Sequence, residues 1–163
     1  MINKKVRNAT VTEYNGIKFR SKQEVMCYKT LVENGFNPSY ETKSYVLFAG
    51  FTTHVPFYTK NKFKRKNKYI ATITKHLAQD ARPIEPWMYT PDFTFEYKDY
   101  FIVIEVKGKE NDVYPYKKKL FRRYLEELQH LEEDKHIEFW EIFTKQQLLE
   151  CIELLKHKTN ENS

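Results

Sequence analysis

The feature that most constrains this chain is its most hydrophobic run, a five-residue segment that ends abruptly in charge. The run is Tyr100-Phe101-Ile102-Val103-Ile104, and Glu105 and Lys107 follow it. A second segment with strand character, Trp87 to Tyr97, precedes it, and Lys98-Asp99 between them suits a tight turn. The pattern therefore predicts a β-hairpin as the central element of the fold.

The turn sets the register of this hairpin. If Tyr97 faces Tyr100, Asp92 falls directly opposite Glu105. Side chains alternate between the two faces of a strand, so one face is wholly apolar and comprises Phe93, Phe95, Tyr97, Ile102, Ile104 and Val106. The other face brings Asp92, Glu105 and Lys107 together at the open end of the hairpin.

Two carboxylates in cross-strand positions repel each other. Their Cβ atoms are expected about 4.5–5.5 Å apart, and at an effective dielectric of about 20 two such charges repel by roughly 3 kcal/mol. A divalent cation removes this cost, and hard oxygen ligands suit Mg²⁺ or Mn²⁺. Lys107 can reach a water or a phosphate oxygen beside the metal. Asp92, Glu105 and Lys107 therefore indicate hydrolysis of a phosphodiester.

The tripeptide E-x-K alone is a weak signal, because it occurs at Glu41, Glu96, Glu105 and Glu133. Pro-Asp occurs once, at Pro91-Asp92, and only the Glu105 copy ends a hydrophobic strand across the hairpin from it. The alternative is that Glu105 and Lys107 form an exposed strand end and Asp92 is a turn residue.

A helix is predicted from about Lys22 to Asn34. Ser21 is a suitable N-cap, and Glu24 completes an S-x-x-E capping box. Gly35 is a plausible stop. The capping box explains Glu24 fully without catalysis, so the pattern alone does not place it in a site.

The remaining elements alternate between strand and helix patterns. Strands are predicted at 44–48 and, broken by Pro56, at 51–58. Helices are predicted at 116–131 and 145–156, with a strand of period-two alternation from His136 to Phe143 between them. We expect one α/β domain over residues 1–163, with flexible tails at 1–14 and 157–163.

The net charge of +6 is unevenly distributed. A basic run holds six cations with no acid, which indicates a polyanion as partner, although a solvated loop is the alternative. Its cations are Lys60, Lys62, Lys64, Arg65, Lys66 and Lys68. Because the run has no amphipathic helical period, a membrane surface is the less favoured partner.

Cysteine usage and hydropathy bear on the compartment. Cys27 and Cys151 are far apart and have no metal-ligand spacing, which indicates reduced thiols in the cytoplasm. The basic start lacks an apolar core of the kind that signal peptides have, and no run of 18 apolar residues occurs. We expect a soluble, unexported protein that does not bind membranes.

The chemistry-bearing residues resemble the PD-(D/E)XK nuclease superfamily, in particular its phage endonuclease and Holliday-junction-resolving branch. Tyr89-Thr90-Pro91-Asp92-Phe93 followed by Glu105-Val106-Lys107-Gly108 carries the resemblance, and it is also similar to the DNA-cutting subunit of heteromeric transposases. Phe19-Arg20-Ser21-Lys22-Gln23-Glu24 resembles the F-x-S-x-x-E helix start found upstream. The resemblance covers roughly residues 15 to 125.

The resemblance implies a restriction-endonuclease-like core, a mixed β-sheet flanked by helices. It implies Asp92, Glu105 and the Val106 carbonyl as metal ligands, Lys107 as the group that positions the water, and Glu24 as an accessory acid. In the phage enzymes, the basic residues at the start of a helix lie near DNA. Their counterparts here are Lys109, Lys117, Lys118 and Lys119.

The sequence thus predicts a Mg²⁺- or Mn²⁺-dependent DNA endonuclease with no small-molecule cofactor. We expect it to be phage-encoded, to act in the host cytoplasm on branched or duplex DNA, and to dimerise if it cuts junctions. The alternatives are a site-specific nuclease of restriction or transposition type, a catalytically inactive nucleic-acid-binding module on the same fold, and an RNA target, since phosphate contacts do not identify the nucleic acid.

Overall fold

The protein is described here by a computed structural model that covers residues 11–62, 75–79, 82–108, 111–132 and 134–161. It is a mixed α/β protein with two compact units, a division that the sequence prediction of one domain did not make. The main unit comprises Met1–Tyr45 and Tyr89–Ser163, and the inserted unit is Val46–Met88. Of the helices in these ranges, none is both long and apolar enough to cross a membrane.

The elements follow one another as strands and helices in mixed order. They are β1 (Thr12–Tyr14), β2 (Ile17–Phe19), α1 (Lys22–Glu33), β3 (Ser39–Tyr40), β4 (Tyr45–Phe48), β5 (Tyr58–Lys62), β6 (Lys75–Gln79), β7 (Trp87–Tyr89), β8 (Phe93–Tyr97), β9 (Tyr100–Val106), α2 (Tyr114–Leu131), β10 (His136–Ile142) and α3 (Lys145–Glu161).

The main unit is built on a four-stranded mixed sheet with the order β10-β9-β8-β3. β9 pairs antiparallel with β8 and parallel with β10. Parallel neighbours need a crossover connection, and α2 supplies it. The predicted hairpin register is confirmed, because Tyr97 pairs with Tyr100 and Phe93 with Ile104.

The apolar face of the hairpin packs on α1 and α3. The core on this side includes Leu31 from α1, Ile152 from α3 and Ile102 from β9, all fully or almost fully buried. At the start of α1, Ser21 caps the helix by accepting from the Glu24 N–H, and Gly35 follows its end with φ +88°. The predicted α1 is therefore confirmed to within one residue.

The second face of the hairpin is also buried, except at its end. Phe101 and Val103 point away from α1, yet they are 6% and 0% exposed. The Phe121 ring of α2 packs edge-on against Phe139 of β10, with centroids 5.4 Å apart. Because this face is covered, Asp92 and Glu105 lie at the edge of a packed layer of apolar side chains.

Several predicted bounds differ from the structure. The strand predicted at Trp87–Tyr97 is two strands, β7 and β8, separated at Thr90-Pro91-Asp92. Pro91 lacks an N–H and cannot continue a ladder. The strand predicted at 51–58 is wrong, since Phe51 forms only an isolated bridge to Ile84 and β5 begins at Tyr58.

Other elements were missed or misjudged in length. The β1–β2 hairpin turns at Asn15-Gly16, both with positive φ, and it lies partly in the predicted N-terminal tail. Strand β3 was not predicted. Helix α2 begins two residues earlier than expected, with Pro115 in its first turn, where proline is tolerated. Helix α3 continues to Glu161, through residues predicted as a C-terminal tail.

Within the inserted unit, β5 pairs antiparallel with β6. Phe51 and Ile84 exchange two backbone hydrogen bonds of 3.0 and 2.8 Å. Gly50 packs so closely that a Cβ there would lie 2.8 Å from the Ile84 carbonyl oxygen. Glycine is therefore required at position 50 for this pairing.

Candidate active site

Asp92 is held at the open end of the β8–β9 hairpin by the backbone on both sides. Its Oδ2 accepts a 2.7 Å hydrogen bond from the Val106 N–H. Its own carbonyl oxygen accepts a 2.9 Å bond from the Glu41 N–H. The ladder stops at Phe93, so the Asp92 side chain takes the place of the next rung and meets β9 at the residue after Glu105.

Glu105 is a buried acid with a donor on each carboxylate oxygen. Tyr89 donates its hydroxyl to Oε2 at 2.7 Å, and the Lys107 ammonium group donates to Oε1. The Lys107 ammonium also lies 3.8 Å from the centre of the Tyr114 ring. Glu105 and Lys107 are thus a linked pair, 7% exposed at Glu105, and not a solvated strand end.

The acids at this end of the sheet are close enough to influence one another. Burial, and then the Glu105 charge, raise the pKa of Asp92 well above its usual value, while the Val106 N–H and Lys107 act in the opposite direction. Burial and Glu105 also raise the pKa of Tyr89 far above that of a free phenol. Tyr89 therefore remains a protonated donor to Glu105.

Glu24 is both a helix cap and a neighbour of Asp92. Its Oε1 accepts from the Ser21 hydroxyl at 2.8 Å, and its Oε2 accepts from the Arg20 N–H at 2.9 Å. Tyr40 adds a third donor, with its hydroxyl 2.6 Å from Oε2. The Glu24 charge also raises the pKa of Asp92. The capping role is confirmed, and the role of accessory acid stays a prediction.

Glu41 is a further acid at this end of the sheet, although in the sequence it is only one of four E-x-K tripeptides. Its backbone has φ +49°, and its side chain forms a 3.0 Å ion pair with Arg20. Burial raises the pKa of Glu41, Arg20 lowers it, and Glu24 and Glu105 raise it further. No sequence spacing signals Glu41, because its backbone bond to Asp92 brings it there.

Two tyrosines and a fourth glutamate also belong to the surroundings of the site. Tyr89 is the first residue of the Tyr89-Thr90-Pro91-Asp92-Phe93 motif, but the sequence spacing does not show that its hydroxyl bonds to Glu105. Tyr40 follows no recognisable pattern. Glu141 pairs in register with Glu105 across β9 and β10, so the two side chains share a face. The Lys118 ammonium group lies 3.0 Å from the Glu141 carboxylate.

The predicted nucleic-acid-binding cations are placed only in part. Lys117, Lys118 and Lys119 lie near the start of α2, where Lys118 is engaged by Glu141 and Lys119 is exposed. Lys60 and Lys62 belong to β5. The others lie outside the described residues, namely Lys64, Arg65, Lys66, Lys68 and Lys109.

The donor chemistry of the site fits a hard divalent cation. Asp92 and Glu105 offer carboxylate oxygens, and Mg²⁺ commonly takes one or two carboxylates and completes its shell with water and phosphate oxygens. Within the described part of the chain, no group of three or more Asp, Glu, His or Cys side chains is arranged to hold a metal ion.

No protein-family model matches this chain, and no curated protein and no solved structure matches it.

Proposed function

We propose that this protein is a metal-dependent DNA endonuclease of the PD-(D/E)XK type, phage-encoded and selective for branched DNA. The observation that carries the proposal is the linked set at the end of the hairpin. Asp92 is fastened to the Val106 N–H, and Glu105 is bonded to Lys107. Two acids and one ammonium group therefore converge at the open end of the β8–β9 hairpin.

A purely structural role does not account for this arrangement. Buried like charges destabilise a fold unless something compensates them, and burial and Glu105 both raise the pKa of Asp92. Lys107 offsets only part of this effect. A bound cation would stabilise both carboxylates in their charged forms, which favours a site adapted to a ligand.

Asp92, Glu105 and the Val106 carbonyl would hold the metal ion. Mg²⁺ bound there would supply Lewis-acid activation of a water and of the scissile phosphate. Lys107 would position the attacking water or a phosphate oxygen through its ammonium hydrogens. Glu24, next to Asp92 and fixed by three donors, would serve as the accessory acid.

The architecture supports the same proposal. The restriction-endonuclease-like core is expected to be a mixed sheet with helices on both faces and the acids at one strand end. Here α1 and α3 lie on one face of the β10-β9-β8-β3 sheet and α2 on the other. Asp92 directly precedes the first residue of β8, and Glu105 lies near the end of β9.

The decisive experiment compares Asp92→Ala and Lys107→Ala with matched variants at exposed sites. Asp99→Ala and Lys135→Ala are suitable controls, because Asp99 lies in the hairpin turn and Lys135 forms an ion pair with the exposed Glu96. We expect Mg²⁺-dependent cleavage of labelled DNA to be lost in the first two variants and kept in the controls, with DNA binding largely retained throughout. Cleavage by purified Asp92→Ala at the wild-type rate would refute the proposal.

A panel of labelled substrates tests the substrate class. Duplex, flap, four-way junction and single strand, each incubated with Mg²⁺ and with EDTA, separate the alternatives. We expect cuts near the branch of a junction, together with a dimer in sedimentation. Sharp sequence-defined bands from linear duplex would instead identify a nuclease of restriction or transposition type. Preferential cutting of RNA would shift the substrate assignment.

A further inference from the structure

The inserted unit carries all of the chain's excess positive charge. Residues 46–88 contain eight Lys and Arg and two Asp and Glu, a net charge of +6 that equals that of the whole chain. The remaining residues are therefore electrically balanced. A charge separation of this kind directs a polyanion to one unit.

The same unit exposes most of the large apolar side chains that the structure leaves uncovered. Of the 14 such side chains among the described residues, eight lie between positions 46 and 88. They are Val46, Phe48, Phe51, Val55, Phe57, Tyr58, Ile84 and Met88. Exposed apolar groups gathered in one region mark an interaction surface.

The exposed rings are held by regular contacts within the unit. The Phe48 and Phe51 rings meet edge to face with centroids 5.8 Å apart. Phe51 is fixed to Ile84 by two backbone hydrogen bonds, and Gly50 allows that approach. Phe57 is 59% exposed. A rigid ring gives up little entropy when it stacks.

We infer that the inserted unit binds DNA at unpaired bases, with Phe51 and Phe57 as stacking surfaces and with the net positive charge of the unit attracting the polyanion. The choice of DNA rests on the proposed nuclease function. Bases inside a duplex already stack on each other, whereas unpaired bases offer free faces to aromatic side chains. This surface would therefore direct the enzyme to branch points and single-stranded regions.

Charge and secondary structure favour this partner over two others that apolar surfaces attract. A second copy of the chain would bring a +6 unit against another +6 unit, and like charges oppose such contact. A lipid surface is usually met by an amphipathic helix, and the described elements of this unit are strands. Nucleic acid satisfies both the cations and the rings.

The test uses the double variant Phe51→Leu/Phe57→Leu, which keeps apolar bulk but removes the aromatic faces. Binding to a labelled oligo-dT strand and to a fully paired duplex is measured in EDTA, where metal-dependent cleavage is stopped. We expect roughly tenfold weaker binding to the single strand, from the loss of stacking, and less than about a twofold change for the duplex. Leu131→Ala, at an exposed apolar site outside the unit, should bind as wild type.

The inference would be overturned if the double variant bound the single strand as tightly as wild type does. It would also be overturned if the double variant lost as much affinity for the duplex as for the single strand. If wild type formed a dimer and the double variant did not, the surface would instead be assigned to self-association. If wild type bound anionic vesicles and the double variant did not, the surface would be assigned to lipid. Because binding is measured without cleavage, this result is independent of the Asp92→Ala test. Loss of single-strand binding would support the inference even if Asp92→Ala still cut DNA.

Discussion

The hydroxyl of Tyr89 donates a buried 2.7 Å hydrogen bond to Oε2 of Glu105, which follows it by 16 residues in the sequence. Lys107 occupies the other oxygen of the same carboxylate. Glu105 is therefore oriented by two donors, one from β7 and one from its own strand. Donors of this kind fix how a carboxylate presents its oxygens to a metal.

Tyr89→Phe should weaken the metal dependence of cleavage without disturbing the packing. The ring still fills its place against Phe121, whose centroid is 4.3 Å away, but Oε2 of Glu105 loses its donor. We expect the Mg²⁺ concentration for half-maximal cleavage to rise by about 10- to 100-fold, as for other groups that support metal ligands. A Mg²⁺ titration of the cleavage rate measures this.

Tyr45→Phe is the matched control, because the Tyr45 ring also packs on Phe121. Among the described residues, the buried Tyr45 hydroxyl has no hydrogen-bond partner. Its removal should raise the free energy of unfolding by about 1 kcal/mol and leave the Mg²⁺ dependence unchanged. An unchanged titration in Tyr89→Phe would show that Tyr89 does not position Glu105.

Glu24→Gln and Ser21→Ala separate the cap from the site. Ser21→Ala removes the N-cap acceptor and should lower the free energy of unfolding by about 1 kcal/mol, while cleavage continues. Glu24→Gln keeps an acceptor for the Arg20 N–H and Tyr40 but removes the charge, so cleavage should fall sharply with a smaller loss of stability. Denaturant unfolding and cleavage rates are measured on both variants. Full cleavage by Glu24→Gln would leave Glu24 as a helix cap only.

Asp92→Asn should stabilise the metal-free protein at neutral pH. Burial and Glu105 raise the pKa of Asp92 in the folded state, so the folded chain binds this proton more tightly than the unfolded chain. Stability from this group is present at low pH and is lost as the pH rises through the range between the two pKa values. The neutral amide avoids that loss and can still accept from the Val106 N–H.

Thermal melts in EDTA test whether Asp92→Asn stabilises the protein. The melting temperature of Asp92→Asn should exceed that of wild type at about pH 7.5, and the difference should vanish at about pH 3, below the usual aspartate pKa of about 3.9. A variant less stable than wild type at neutral pH would contradict a raised pKa for Asp92.

The basic run from Lys60 to Lys68 should dominate the salt dependence of DNA binding. Its six cations, if each meets a phosphate, give a slope of about −5 in log K against log salt. Replacing all six by glutamine should make the measured slope shallower by about that amount. An unchanged slope would place the phosphate contacts elsewhere, with the start of α2 as the next candidate.

The sequence by itself determined the hairpin and its register. Tyr97 and Tyr100 flank a two-residue turn, and the alternation of side chains then sets which residues share a face. A one-residue slip would turn Ile102 and Ile104 away from the core and turn Glu105 toward it, so burial enforces the pairing. The boundaries of α1 were equally local, because Ser21, Glu24 and Gly35 act within one or two helical turns.

Only the tertiary structure decided what surrounds Glu105. Tyr89 reaches it because Pro91 breaks the strand and sets β7 apart from β8, and Glu141 reaches it because β10 returns parallel to β9. Glu41 arrives through a backbone bond to Asp92. Such contacts depend on where separate segments meet in space, and hydrophobic periodicity describes only the face that each segment buries.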